Sequence, residues 1–328
     1  MNETNNADKQ LKKPSIIRQI VPWFFAAGIV AFMFYKVNFV KVWEVLQTAK
    51  TSWIISAYLF YCVTYYLCDI LSFFRSYNWF NTKISFKETA RLRLASFAVQ
   101  AINGAITELM SVLYMLRVKK VPALESTSSA MFIYLNEMLT LVALLTYCAF
   151  FLAPENRILF TVPFINLRFW TLLQALIIAA WIFMPVWLLF WRTGIRDRFP
   201  KVRDNVLLMA FKKGTAANYG EIFFYRFANN FLSLLANIVI LKALGIDAPL
   251  PLLFAAVPIM VNVAYWPVSA GGFGGPQLVA HFLLKGYASE EAVFAYSLVW
   301  SALFFLTRSL TGISFIRPVY KAAFPAEK

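Results

Sequence analysis

Charge is scarce in this sequence. Only 14% of its 328 residues are Asp, Glu, Lys or Arg, where a soluble domain carries about a quarter. The longest polar stretch, Arg192 to about Asn218, is too short for a folded extramembrane domain. Histidine occurs once and cysteine three times. Cys62, Cys68 and Cys148 all lie in apolar runs, as small core residues do. No Cys/His cluster has zinc-ligand spacing, so neither a metal site nor a cofactor is expected. The glycines of AGGFGG fit neither GxGxxG nor a P-loop, and no lysine follows them. ATP-driven transport by this chain alone therefore has no support, and nucleic acid is not an expected partner. Alternating segments of about ten residues, the mark of a membrane β-barrel, are missing too.

What is present is apolar. Hydrophobic residues make up 60% of the chain and the mean hydropathy is +0.63. Several runs reach the roughly 20 apolar residues that cross a bilayer core. The fold class expected is an all-α polytopic integral membrane protein. Six full spans are read at about Ile17–Tyr35, Trp53–Phe74, Ser128–Leu152, Phe169–Trp191, Ile222–Leu241 and Glu291–Ile316. Two shorter apolar units, around Leu94–Leu116 and Leu252–Leu284, are read as re-entrant helical hairpins. The first span has no small-x-small cleavage site behind it and is taken as uncleaved.

The charges orient these spans. Most of the 31 lysines and arginines fall on one side if both termini are cytoplasmic, as the positive-inside rule requires. That side carries Lys9 to Arg18, Arg75 to Arg93, Arg117 to Lys120, Arg192 to Lys213 and Arg317 to Lys328. A multi-pass protein of the prokaryotic cell membrane is expected. Full crossing by the arm Leu252–Val268 stays open, and would move the C-terminal charges outside. Two basic segments, Lys83–Arg93 and Phe199–Lys213, suit either the headgroup layer or ordinary topology-setting loops.

The chain also repeats itself. ELMSVLYML, Glu108–Leu116, aligns with QLVAHFLLK, Gln277–Lys285. SSAMFIY, Ser128–Tyr134, aligns with EEAVFAY, Glu290–Tyr296. Each copy reads as a turn, a short helix beginning at Glu or Gln, a connection and a full span. Three spans lie between equivalent points, so the copies are inverted, a plan many transporters share. The whole chain, 1–328, is read as one domain. Repeat A covers about 53–152, a span and basic loop 153–217, and repeat B about 218–316.

Within this plan the segment WPVSAGGFGGPQLVAHFLL, Trp266–Leu284, has a physical role. Backbone at membrane depth survives only where protein or a water-filled cavity covers it. Glycine permits the turn, and Pro276 suits the first position of the following helix. Helix N-termini carry free N–H groups and about half a positive charge, which hold an anion such as a lipid phosphate. The candidate substrate-binding residues are therefore Gly271, Gly272, Gly274, Gly275, Gln277 and His281 in one copy. In the other they are Asn103, Gly104, Thr107 and Glu108, with Asn103 or Thr107 as helix cap and Glu108 in the first turn.

Asp69, Glu137, Glu221, Arg226 and Arg308 lie in or at the ends of spans, where an unpaired charge costs a few kcal/mol or more. Glu221 and Arg226 are five apart on one helix and do not form an ideal pair. Their partners are expected on other helices. Ion pairing and substrate contact are both open readings for each. Arg226 and Arg308 suit an anionic headgroup and Glu108 a cationic one.

These residues carry a family resemblance. SAGGFGGPQ, followed by a short helix and a span containing Arg308, resembles the C-terminal signature of the lysylphosphatidylglycerol synthase transmembrane-region family. NGAITELMSVLYMLR and FFRSYNW resemble two further elements of it. Gln277 stands where the family usually has Glu, and Thr107 where Gly precedes the retained Glu108. Arg117 matches the downstream arginine only loosely. The resemblance implies a flippase-like domain that moves lipid between leaflets. The soluble aminoacyl-transferase fused to it in the best-known members is not seen, so aminoacylation is not expected. The expected partners are membrane lipids with anionic or phosphate-containing headgroups, a second copy of the chain, or a lipid-synthesis enzyme. An intramembrane lipid-modifying transferase and a non-transporting accessory subunit are the alternatives.

Overall fold

The computed structural model describes residues 38–102, 104–151, 161–162, 167–263, 275–284 and 286–323. The helices are α1 Phe39–Thr48, α2 Thr51–Phe80, α3 Phe86–Ile102, α4 Gly104–Arg117 and α5 Ala123–Phe151. They continue with α6 Phe169–Arg192, α7 Pro200–Arg203, α8 Met209–Lys213, α9 Ala216–Ala243, α10 Leu250–Val263, α11 Gly275–Leu283 and α12 Glu290–Ala323. A two-residue antiparallel ladder, Thr161–Val162 against Leu167–Arg168, precedes α6. The protein is an all-α membrane protein.

Five helices, in α2, α5, α6, α9 and α12, are long and apolar enough to cross a bilayer. Each matches a span expected from the sequence. The sixth, Ile17–Tyr35, lies outside the described residues. At 1.5 Å per residue the 30 residues of α2 extend about 45 Å, longer than the roughly 30 Å hydrocarbon core. The long helices thus carry their polar ends beyond it. Of these five, α6 is the least buried within the protein, and its apolar side chains Leu176, Ile182 and Val186 are exposed.

The sequence also sets the helix ends. Asn38 caps α1, its side chain accepting from Val40 N at 3.0 Å. Thr215 and Asn218 form a capping box at the start of α9, satisfying amide donors that the first helical turn leaves free. Gly245 follows α9 at φ 76°, a left-handed conformation that glycine adopts without a Cβ clash.

α2 and α9 run antiparallel, pinned at one end by Lys50 N donating to Ala243 O at 3.0 Å and at the other by the Arg75–Glu221 ion pair. α3 and α4 form an antiparallel hairpin, closed by Tyr114 Oη donating to Glu88 at 2.7 Å. α3 lies against α12, where Gly312 permits the approach: a Cβ there would sit 2.3 Å from Leu94 O. α10 packs on α5, and α11 on both α10 and α12.

Two expectations change here. The hairpin at Leu94–Leu116 begins earlier, because α3 runs unbroken from Phe86. The basic segment Lys83–Arg93 is therefore largely the first half of that helix. Its Lys87 and Arg91 are exposed, but Thr89, Leu92 and Arg93 are buried. Arg93 is no loop charge. The second basic segment, Phe199–Lys213, breaks into short helical turns. Its end docks on the bundle, with Ala210 N donating to Ser128 Oγ at 2.9 Å and Lys213 Nζ to Phe80 O at 3.3 Å.

Candidate functional site

Among the described residues the interior holds two large apolar clusters and a small third one around Ala149, Ile177 and Ala255. One of the large pair gathers Tyr61 and Tyr65 of α2, Leu234 and Ile238 of α9, and residues of α10 to α12. The other gathers Phe73 and Tyr77 of α2, Ile222 of α9, Phe132 and Ile133 of α5, and Phe211. Between them, near the middle of both long helices, α2 presents Asp69 and α9 presents Arg226. Both are almost fully buried, at 3% and 2% exposure.

Asp69 is the centre of the polar layer. Its Oδ2 accepts from Arg93 Nε of α3 at 2.8 Å, and its Oδ1 from Arg226 Nη2 at 3.0 Å. Arg93 reaches on, through Nη1, to Glu108 Oε1 of α4 at 3.1 Å and to Ser111 Oγ at 3.1 Å. Tyr134 of α5 donates its hydroxyl to the same Glu108 oxygen. Arg226 reaches on, through Nη1, to Glu137 Oε2 of α5 at 3.6 Å. Five elements thus meet at one chain of charges, Glu108–Arg93–Asp69–Arg226–Glu137.

The arrangement follows from desolvation. A charge removed from water is tolerated when it is paired and its remaining hydrogen bonds are met. Asp69 and Arg93 meet that condition and are sealed; Arg226 is equally sealed and is paired, with its Nε left without a hydrogen-bond partner among the described residues. The two glutamates at the ends are more open, with side chains 27% and 19% exposed. Rings screen the layer as well. Arg93 lies over Phe73 at 3.7 Å and near Phe97 at 5.4 Å. Arg308 of α12 lies over Phe304 of its own helix at 3.6 Å and approaches Phe97 of α3 at 5.6 Å. Cations over aromatic faces gain up to about 2 kcal/mol when desolvated.

This chain belongs to the lysylphosphatidylglycerol synthase TM-region family. The family's sequence pattern matches residues 19–312, nearly the whole length. A comparison with curated proteins finds no match. Membership accounts for the multi-pass architecture and points to a role concerned with membrane lipid.

The expected site residues divide into groups. Glu108 and Arg226 join one network, and Arg308 reaches its edge through Phe97. Glu221 and Arg226 do find their partners on other helices, Arg75 for the first and Asp69 with Glu137 for the second. Gln277 of α11 is buried and donates to Ser301 Oγ of α12 at 3.0 Å, two turns from Arg308. His281 lies 3.9 Å from Glu290 at the start of α12. Gly104 and Gly275 are the first residues of α4 and α11. Thr107 therefore lies inside the first turn instead of capping it, and Glu108 follows one residue later. Asn103, Gly271, Gly272 and Gly274 lie outside the described residues.

Sequence reasoning missed Arg93 and Tyr134. The signal for Arg93 was available: a largely apolar run, LASFAV, begins at the next residue. Tyr134 looked like one aromatic among many. Among the described residues, no group of three or more His, Cys, Asp or Glu is arranged to hold a metal ion.

Proposed function

We propose that this protein is a lipid flippase, moving a phospholipid or polyprenyl-linked lipid between leaflets of the cell membrane without altering it covalently. The observation that carries the proposal is the chain of charges Glu108–Arg93–Asp69–Arg226–Glu137. It lies between two apolar clusters, and three of its members, Asp69, Glu137 and Arg226, stand in helices long enough to span. Intramembrane charges that face a bundle interior mark substrate or ion pathways by default. A headgroup enters this layer while its tails stay in lipid. The N-termini of α4 and α11 offer N–H groups to its phosphate.

The packing supports an inverted repeat of α2–α5 and α9–α12. α2 packs on α3 as α9 does on α10, and α3 on α4 as α10 does on α11. α4 packs on α5 as α11 does on α12, and α3 packs on α12 as α10 does on α5. In this reading the α3–α4 and α10–α11 pairs are the re-entrant hairpins, and both termini are cytoplasmic.

Purified protein reconstituted into vesicles with fluorescent phosphatidylglycerol tests the proposal. Wild type speeds the loss of inner-leaflet fluorophore protection from a membrane-impermeant quencher, and Glu108→Ala and Arg93→Ala do not. Equal rates with and without protein overturn it, and a covalently modified lipid in the extract assigns the chain to transferases instead. Cysteines placed at Gly104 and Gly274 test the hairpins through their accessibility at membrane depth.

A further inference from the structure

Several buried serines satisfy themselves within their own helix. Ser72, Ser96 and Ser297 each donate to the carbonyl one turn back, at 2.7, 2.9 and 2.6 Å, a bond open to any Ser or Thr in a helix. Ser126 departs from this pattern. It lies at the start of α5 and is fully buried. The carbonyl it would use is that of Pro122, which already accepts from Glu125 N and Ser126 N, both at 3.1 Å. Those two donors fill its two lone pairs. Ser126 Oγ has no hydrogen-bond partner among the described residues.

Tyr77 of α2 is a second such group. Its side chain is fully buried, and its hydroxyl also has no partner among the described residues. The neighbouring Ser76 donates to Ser129 O at 3.3 Å, which sets this turn of α2 against the first turns of α5. Ser126 and Ser111 of α4 face the Tyr77 hydroxyl without closing a bond to it, and the charges of Glu108 and Arg93 act on it. Ser111 in turn accepts from Arg93 Nη1 at 3.1 Å, as Glu108 does. Glu108, Ser111, Tyr77 and Ser126 thus form one polar file. Tyr134, which donates to Glu108, is eight residues along α5 from Ser126, about 12 Å at 1.5 Å per residue. Beyond Ser126 the surface is close, since Lys120 and Pro122 are exposed.

Internal water satisfies buried polar groups of this kind and makes about three hydrogen bonds where it binds. We propose that Tyr77, Ser111 and Ser126 hold water in line, and that protons pass along it between Glu108 and the end of the bundle where α5 begins. The route rests on the flippase reading for its biological use, but not for its test. In that reading the end is cytoplasmic, and the proton removes a negative charge from the path of an anionic headgroup. A proton enters from bulk water at Ser126. Each oxygen of the file takes up one proton and gives up another, so the hydroxyls and the water end unchanged and the Glu108 carboxylate becomes the neutral acid. Arg93 keeps a counter-ion throughout, because its Nε and Nη2 hold the two oxygens of Asp69 at 2.8 and 3.5 Å.

The charged and titratable groups around Glu108 come from every helix packed against α4. Arg93 of α3 and the Tyr134 hydroxyl of α5 bond to it directly. From α2, Asp69 acts through Arg93 and Tyr77 stands in the file. α12 also touches α4 and carries the buried Arg308. The Glu108 side chain is 27% exposed on its open side, where the headgroup enters in the flippase reading. The hydroxyl file reaches the same carboxylate from within the bundle.

The test uses full-length protein in phosphatidylcholine nanodiscs. The infrared carbonyl band that titrates in wild type and is missing in Glu108→Gln belongs to the Glu108 acid, and a laser-released proton times its appearance. Ser126→Ala and Tyr77→Phe are expected to leave the midpoint of that band in place and to slow its appearance by about tenfold or more, the cost of one hydrogen-bonded step removed. Ser76→Ala removes a hydroxyl that already has its partner; it is expected to match wild type and so reports any general disturbance of the packing. Water bands that shift in heavy-oxygen water in wild type and vanish in Tyr77→Phe read the bound water directly. Wild-type rates in both Ser126→Ala and Tyr77→Phe show that Glu108 is reached from its open side and overturn the proposal. Slower rates that only follow a moved midpoint, equal slowing in Ser76→Ala, the lack of such water bands, or the lack of a titrating Glu108 band overturn it as well. Slowed protonation in these variants of a protein that moves no lipid in vesicles would leave the route standing and remove the flippase reading.

Discussion

Asp69→Asn preserves the shape of the side chain and removes one charge from the middle of the protein. In the wild type that carboxylate accepts from Arg93 at 2.8 Å and from Arg226 at 3.0 Å. A hydrogen bond to a charged group contributes about 1.5–3 kcal/mol, so the two contribute roughly 3–6. Removing one partner of a buried ion pair costs about 3–5 kcal/mol by a separate route. Both lead to about 4 kcal/mol. The internal control lies on the same two helices. Arg75 pairs with Glu221 where their side chains are 45% and 27% exposed, and such a pair contributes at most about 1 kcal/mol. Unfolding of purified protein in mixed micelles, followed by circular dichroism as denaturing detergent is raised, measures both. Asp69→Asn should lower stability by several times the effect of Arg75→Gln. Adding Arg226→Gln to Asp69→Asn should recover part of the loss, since one stranded charge is then removed. If the two single substitutions cost the same, the central charges do not hold these helices together.

Three further outcomes are expected. Gly312→Leu should destabilise by at least about 1–3 kcal/mol, the range for overpacking, because the new Cβ meets Leu94 O at 2.3 Å and Ala98 N at 2.7 Å; unfolding in micelles reads this, and a neutral result refutes the close approach of α12 to α3. Thr215→Ala should cost about 1 kcal/mol by removing the capping box of α9, with Thr215→Ser restoring it in the same assay. Outside the membrane, hydrogen bonding to Arg203 holds the Asp204 carboxyl below its usual range. Its contribution to stability is present at neutral pH and lost as pH falls through that depressed value, so the carboxyl-carbon NMR midpoint of Asp204 should rise in Arg203→Gln.

The spans were legible because they rest on composition. Twenty consecutive apolar residues have few alternatives to a membrane helix, and the five described ones appear where expected. The charged site was legible by residue but not by pairing. Glu108, Arg226, Asp69 and Glu137 stand out as charges in apolar runs, yet Asp69 and Arg226 are far apart in sequence and meet only because α2 and α9 run antiparallel. Arg93 was hidden for a different reason. KETARLR has the look of a basic surface segment, since its first turns are exposed at Lys87 and Arg91. Only the helix's continuation into the bundle carries Arg93 below that surface. A charge at the boundary of a polar and an apolar run takes its character from the length of the helix through it, which local composition does not reveal.

Phe97 connects the charged layer to the other half of the protein. Its ring lies 5.4 Å from the Arg93 guanidinium and 5.6 Å from that of Arg308. Phe97 sits on α3, one helical turn beyond Arg93, and Arg308 sits on α12, one turn before Gly312. The Gly312 approach holds these two helices at backbone distance from one another. α3 therefore cannot slide along α12 without breaking the fit at Gly312 and moving Phe97 off one of its two cations. A shift of the α3–α4 pair that alters the hold of Arg93 on Glu108 must carry α12 with it, and with α12 the Gln277–Ser301 contact to α11. The two helix pairs proposed as hairpins are in this way mechanically joined through α12. Packed interfaces of this kind switch between discrete arrangements instead of deforming continuously, which is the property an alternating-access cycle needs.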